Sequence, residues 1–247
     1  MTAAAIDWIA PDWPLAGRIR VISTLRTGGS SAGPYASLNL AAHVGDRPEA
    51  VAANRRRLRD AAQLPAEPLW LDQVHGVDVA RHADTPTGVR ADAAVAFEPG
   101  RVCAVMTADC LPVVLADADG TRVAVAHAGW RGLLGGVLEA TVAELGAPAG
   151  TLHAWLGPAI GPESFEVGAE VREAYVARVR GSEACFLRNE RGRYFADLYR
   201  LARLVLESAG VGAVHGGGWC THRERERFFS FRRDGVTGRM ATLAWIA

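Results

Sequence analysis

The chain has 247 residues, 49% hydrophobic and 22% charged, enough to bury a large core as one α/β domain or two small ones. Its formal net charge is zero, which gives no electrostatic case for a nucleic-acid or anionic-membrane partner. All 27 basic residues are arginine, so a Schiff-base lysine, a pyridoxal-phosphate anchor and a Walker-A lysine are excluded, and any anionic substrate falls to arginine or backbone N–H groups.

Taken in order, the N-terminal MTAAAIDWIAPDWP lacks the basic region and apolar core of a signal peptide, and residues 1–16 read as an irregular arm or edge strand. Arg18 to Leu25 alternates like a strand and leads into RTGGSSAGPYASLNL, a long loop of the functional kind. Asp46 reads as the N-cap of a helix with Pro48 in its first turn. Val51, Asn54 and Leu58 lie on one face of it, with Arg55, Arg56, Arg57 and Arg59 on a solvated opposite face. Strands are expected over Leu69–Val74, Val77–His82 and Ala91–Phe97.

Three further apolar runs follow, Val102–Met106, Leu111–Leu115 and Arg122–Ala126, each of the kind buried on both faces. Leu133, Val137, Leu138 and Leu145 predict one amphipathic helix closed by Gly146. Beyond it come a strand over Thr151–Leu156, a helix lined by Val167, Val171, Tyr175 and Val179, and a helix capped by Asp197 and ended by Gly210. Ala213–His215 is a strand, CTHRERERFFSFRRDG reads as strand and loop, and Met240–Ile246 is the last strand. Strands outnumber helices without regular alternation, so the fold class is α+β, with mixed sheets covered by helices. No linker or repeat divides the chain, and a single domain over 1–247 is expected. No apolar stretch reaches the ~20 residues a bilayer requires. The four cysteines show no CxxC spacing, so free thiols in the cytoplasm are expected.

Chemistry concentrates at strand ends. His75 (DQVHG), Cys110 (TADC) and His127 (AHAGWRG) each sit beside Gly or Asp at the end of an apolar run. A thiolate and two imidazoles can form a three-ligand zinc site with an open fourth position, the catalytic pattern. The wide spacing is no local signature, and each residue can also be explained as ordinary packing.

The segments RTGGSSAGPYASLNLAAHVGD, DQVHG, TADCLPVVLAD, AVAHAGWRG, GPAIGPESFEVG and THRERERFFSFRRDGVTGRMATLAWI resemble, in order, the motifs of the YfiH or laccase-domain family. That family has been described first as polyphenol oxidases, later as purine nucleoside phosphorylases, and also as editing factors for peptidoglycan precursors. The resemblance implies an αβ sandwich shared with certain cysteine-dependent deamidating toxins. It implies zinc held by His75, Cys110 and His127. The implied activities are phosphorolysis of adenosine, inosine and methylthioadenosine, and deamination of adenosine through a zinc-activated water. A true multicopper site is not expected. No two of the seven histidines are separated by one residue, and only Met1, Met106 and Met240 could serve as axial ligands. Copper at a Cys-His-His site remains reasonable as an adventitious or alternative metal.

On this reading Arg26 and Arg131 are phosphate or ribose clamps, or surface ion pairs. Asn39 and Gln73 offer amide edges to a base or ribose hydroxyl, or staple loops. Asp109 orients a ligand histidine or acts as general base. Phe228, Phe229 and Phe231 stack a purine or belong to the core. His222 stands where a tyrosine is expected in relatives. The expected partners are a purine nucleoside and phosphate, with no nucleic acid and no membrane, and the protein is expected to be a monomer. Two rivals stand beside this. One is a metal-free hydrolase of an amide, such as a peptidoglycan precursor, with Cys110 as nucleophile and His127 as base. The other is a non-catalytic nucleoside-binding module.

Overall fold

A strand whose side chains are all apolar is stable only where both of its faces are covered. The computed structural model, which describes residues 5–247 apart from 16 and 84, meets that need by stacking two sheets between helical layers. The first half runs β1 (Trp8–Ile9), β2 (Ile19–Thr24), α1 (Pro48–Ala62), β3 (Val79–Arg81), β4 (Ala93–Ala96), β5 (Cys103–Thr107), β6 (Leu111–Asp117) and β7 (Val123–Ala128). It continues with α2 (Trp130–Gly135), α3 (Val137–Leu145), β8 (Leu152–Leu156), β9 (Glu166–Val167), α4 (Ala169–Arg178), β10 (Phe186–Arg188) and β11 (Tyr194–Ala196). The chain closes with α5 (Leu198–Ser208), β12 (Ala213–Gly216), α6 (Phe231–Asp234) and β13 (Met240–Ile246).

The larger sheet has the order β12-β8-β6-β7-β4-β3, parallel at its two outer pairs and antiparallel between them. The second, β1-β2-β13-β5, is antiparallel throughout. A small sheet, β10-β11-β9, flanks them. The period of two sorts each strand between cores. In β6, Leu111, Val113 and Leu115 face the helices, while Val114 and Ala116 face the other sheet. In β5, Cys103 and Val105 share that inter-sheet core, and Ala104 and Met106 turn to the layer that contains Leu58 of α1. Complete enclosure of Leu111, Leu115 and Leu133 contributes roughly 1.5–3 kcal/mol each. The α+β class with helix-covered mixed sheets is therefore what the chain adopts. Among the described residues, no helix is long and apolar enough to cross a membrane.

Several local expectations are corrected. Leu69–Val74 contributes only isolated bridges, Leu69 with Cys103 and Asp72 with Arg90. The single helix expected from Leu133 to Leu145 is two, because Gly136 at φ +108° ends one and begins the next. The cap of α1 is Arg47, whose N–H donates to the Asp46 carboxylate at 2.8 Å. Arg55 is not solvated: its Nε donates to the Leu40 carbonyl at 2.9 Å and its guanidinium lies 4.1 Å from the Trp70 ring centroid. Within CTHRERERFFSFRRDG no strand forms; turns and α6 take its place, with Phe228 and Phe229 fully enclosed.

Candidate active site

Antiparallel pairing of β6 with β7 sets Leu111 opposite Ala128 and Pro112 opposite His127, which brings Cys110 and His127 to the same end of two neighbouring interior strands. His75 joins them from the loop before β3 with its backbone left-handed at φ +61°, and Asp109 is left-handed too at φ +94°. Non-glycine residues are held in that region only when their surroundings over-determine it. Cys110 Sγ lies 3.7 Å from His75 Nε2, the two imidazole centroids are 4.7 Å apart, and the three donor atoms all fall within 4.8 Å of one another. The glycine after Ala128 has a steric reason: a Cβ at Gly129 would stand 2.9 Å from Cys110 Sγ and 3.0 Å from His75 Cδ2.

The organising carboxylate is Asp92, which sequence reasoning missed. It is fully buried and accepts N–H donors from Val74 at 3.1 Å, His75 at 2.9 Å and Gly76 at 2.6 Å. It also lies 2.8 Å from His127 Nδ1, which leaves Nε2 of that ring to face the cluster. Burial works against the Asp92 charge, but the His127 hydrogen bond and the Gly76 and Val74 N–H groups outweigh it and hold the carboxyl below its ordinary value. Burial also opposes the Cys110 thiolate. The charge of His127 and hydrogen bonds from both imidazoles prevail and bring that thiol down to about 6. His127 in turn is raised to about 9 against its own desolvation, by Cys110 and Asp92. A motif reader sees Asp92 only as one polar residue before an alanine-rich strand.

A cavity of ≈ 390 Å³ opens on this cluster, within the range of small-molecule sites. Of the residues singled out from sequence, His75, Gln73, Asp109, Cys110, His127 and Arg131 line it, whereas Arg26 and Asn39 do not. Gln73 is tied to the Met106 backbone, donating to its carbonyl at 2.9 Å and accepting its N–H at 2.7 Å. Asp109 accepts from Thr221 Oγ1 at 2.6 Å and from the Arg232 N–H at 2.7 Å; the carboxylate bonded to a histidine of the cluster is instead Asp92, and Asp109 anchors the C-terminal loop. Asn39 is fully buried, donating to Ala41 O and Asp46 and accepting the N–H groups of Ala41 and Arg239, which is the loop-stapling alternative. Phe231 lines the cavity, 57% exposed, unlike its enclosed neighbours Phe228 and Phe229. His43, Phe165, Arg232 and Arg239 also line it, without having been chosen from sequence.

The donor set fits a metal ion. Two ligands of tetrahedral zinc, at bonds of ~2.3 Å to sulfur and ~2.1 Å to nitrogen, stand about 3.6 Å apart, close to the Cys110–His75 separation. Among the described residues this is the one group of three or more such side chains placed to hold an ion. A type-1 centre together with a trinuclear copper cluster needs more donors than that.

Comparison with known proteins agrees with the architecture. A family model described as multi-copper polyphenol oxidoreductase laccase matches residues 20–247. The chain is 55% identical over 240 residues to a Pseudomonas aeruginosa protein named purine nucleoside phosphorylase, covering 97% of this chain and 98% of the relative. It is 52% identical over 239 residues to the Escherichia coli purine nucleoside phosphorylase YfiH, covering 96% and 98%. A solved Neisseria meningitidis protein superposes with a TM-score of 0.93 at 48% identity over 97% of this chain and 98% of that one. YlmD of Geobacillus stearothermophilus gives 0.92 at 31% identity over 100% and 97%.

Proposed function

The chain belongs to the laccase-like YfiH family, and on that premise we propose a zinc-dependent purine nucleoside phosphorylase that also deaminates adenosine. Its substrates are adenosine, inosine and methylthioadenosine. The observation that carries this reading is a single cavity joining the His75–Cys110–His127 cluster to aromatic faces and to arginines.

In phosphorolysis a phosphate oxygen forms a bond to C1′ of the ribose while the C1′–N9 pair departs with the purine. The purine takes up a proton, leaving free base and ribose 1-phosphate. Phe165, Phe231 and Ile160 give the base apolar surface, and Arg131, Arg232 and Arg239 provide the positive charge a phosphate needs in a lysine-free chain. Asp92 keeps the proton on His127 Nδ1, so that Nε2 stays available to the cluster. Zinc held by His75, Cys110 and His127 would supply a Lewis acid with one open coordination position.

The test is incubation with inosine and phosphate, followed by chromatography. Hypoxanthine and ribose 1-phosphate that form only when phosphate is present support the reading. A lack of hypoxanthine at high enzyme concentration refutes it.

One observation favours a second reading. Cys110, His127 and Asp92 also stand in the order of nucleophile, base and orienting carboxylate. A metal-free hydrolase of amides would show a covalent adduct on Cys110 in active, zinc-free protein.

A further inference from the structure

Phosphorolysis requires an anchor for an oxyanion, and the candidate arginines differ in how they are held. Arg26 is engaged elsewhere: Nε and Nη2 donate to Ala36 O at 3.1 and 3.0 Å and Nη1 to Arg225 O at 3.1 Å, in a separate surface groove. Arg131 and Arg232 reach the cavity from exposed positions, one resting 4.3 Å over Trp130 and the other donating to Glu166 O at 2.7 Å.

Arg239 is different. It is half-buried, immediately before β13, and its backbone is pinned on both sides. Its N–H donates to Asn39 Oδ1 at 3.0 Å and its carbonyl accepts from Leu40 N at 3.3 Å. Asn39 is itself fixed by Asp46 at 3.0 Å and by both backbone groups of Ala41. Nη1 of Arg239 donates to the carbonyls of Thr237 and Gly238 at 3.0 and 3.1 Å, and the guanidinium lies 5.6 Å from the Phe231 centroid. Close approach is built in here, since a Cβ at Gly238 would meet Phe229 Cζ at 2.8 Å and Asn39 Cβ at 2.9 Å.

The side chain is thus aimed before any ligand arrives. Among the described residues no carboxylate forms an ion pair with it, and Nε and Nη2 carry no hydrogen bond. A half-buried cation on a cavity wall, with two of its nitrogens unengaged, lacks the counter-charge that burial demands. Burial lowers the pKa of this guanidinium, with Cys110, Asp109 and Tyr35 opposing only in part. His43, on the same wall, is lowered by its own desolvation and then by the Arg239 charge, which disfavours a second cation beside Arg239.

We propose that Arg239, positioned by Asn39, is the oxyanion anchor of the cavity and binds a phosphoryl group through its free Nε–Nη2 edge. The ligand is phosphate as co-substrate, which rests on the phosphorolysis reading. The 5′-phosphate of a nucleotide shares that chemistry, and the two are separable.

Calorimetric titration of the wild-type protein with inorganic phosphate alone, and separately with adenosine 5′-monophosphate, reads the site without any turnover. Saturable phosphate binding that weakens on the order of 10- to 100-fold in Arg239→Gln is expected, since a charge-assisted bidentate contact is lost. Arg239→Lys keeps the charge and the stem while losing the fork, and is expected to fall between the two. It also serves if the glutamine variant does not fold. Binding of the nucleotide alone, lost in the same variants, would assign the anchor to a nucleotide and overturn the co-substrate role. Phosphate affinity unchanged in a folded variant overturns the anchor altogether. In turnover, the variants are expected to raise KM for phosphate. Phosphorolysis with an unmoved phosphate KM would leave the function standing and remove Arg239 from it. Arg239-dependent phosphate binding in a protein without phosphorolysis would do the reverse.

Discussion

The floor and the rim of the cavity are made by different means. The floor is strand-built: Cys110 precedes β6, His127 lies in β7, and Asp92 beneath them is fully buried with four donors on its two oxygens. The rim is made of exposed side chains on short helices: Phe231 and Arg232 on α6 and Arg131 on α2. Substitution on the floor therefore acts on stability and chemistry together, whereas substitution on the rim acts on binding with little effect on the fold. A site so divided can vary what it recognises without disturbing what it does.

The largest effect is expected at Asp92. Asp92→Ala leaves three N–H groups and a histidine without their acceptor, at a cost of about 3–5 kcal/mol in urea unfolding. Zinc affinity, read by chelator competition, should fall roughly 10- to 100-fold. If stability were unchanged, the distinction between floor and rim would collapse.

Acid should find the same residue. Because the folded-state pKa of Asp92 is depressed, its contribution is present above the ordinary carboxylate value of ~4 and is lost as pH falls through the lower folded value. Unfolding midpoints followed below pH 5 should drop less steeply in Asp92→Asn than in the wild type; equal slopes would contradict the assignment.

At the helix break, Gly136→Ala places a Cβ 2.9 Å from Arg178 Nη2 at φ +108°, and a loss of about 1–2 kcal/mol in thermal unfolding is expected. On the rim, Phe231→Ala should raise KM for the nucleoside several-fold while changing stability by less than ~1 kcal/mol.

How much the sequence reveals follows the same division. The runs at 102–106, 111–115 and 122–126 are legible because burial on both faces removes polar alternation, and β5, β6 and β7 lie where those runs do. Asp92 is invisible because its partners are backbone groups and a distant ring, which leave no pattern along the chain. Phe228 and Phe229 suggest a strand, yet tertiary contacts decide otherwise. Arg233 donates to the carbonyls of Thr221, His222 and Phe228, and Asp109 accepts from Thr221 and Arg232, which folds the segment into turns. Arg239 escapes notice for a related reason: it stands next to an apolar strand, and only the structure places its side chain on the cavity wall.

Metal content by mass spectrometry, on wild type and Cys110→Ser purified without chelators or affinity metals, tests the central claim most directly. About one zinc per chain in the wild type, lost in the variant together with phosphate-dependent release of hypoxanthine from inosine, is the predicted result. Full activity in a wild-type protein that carries no metal would contradict it.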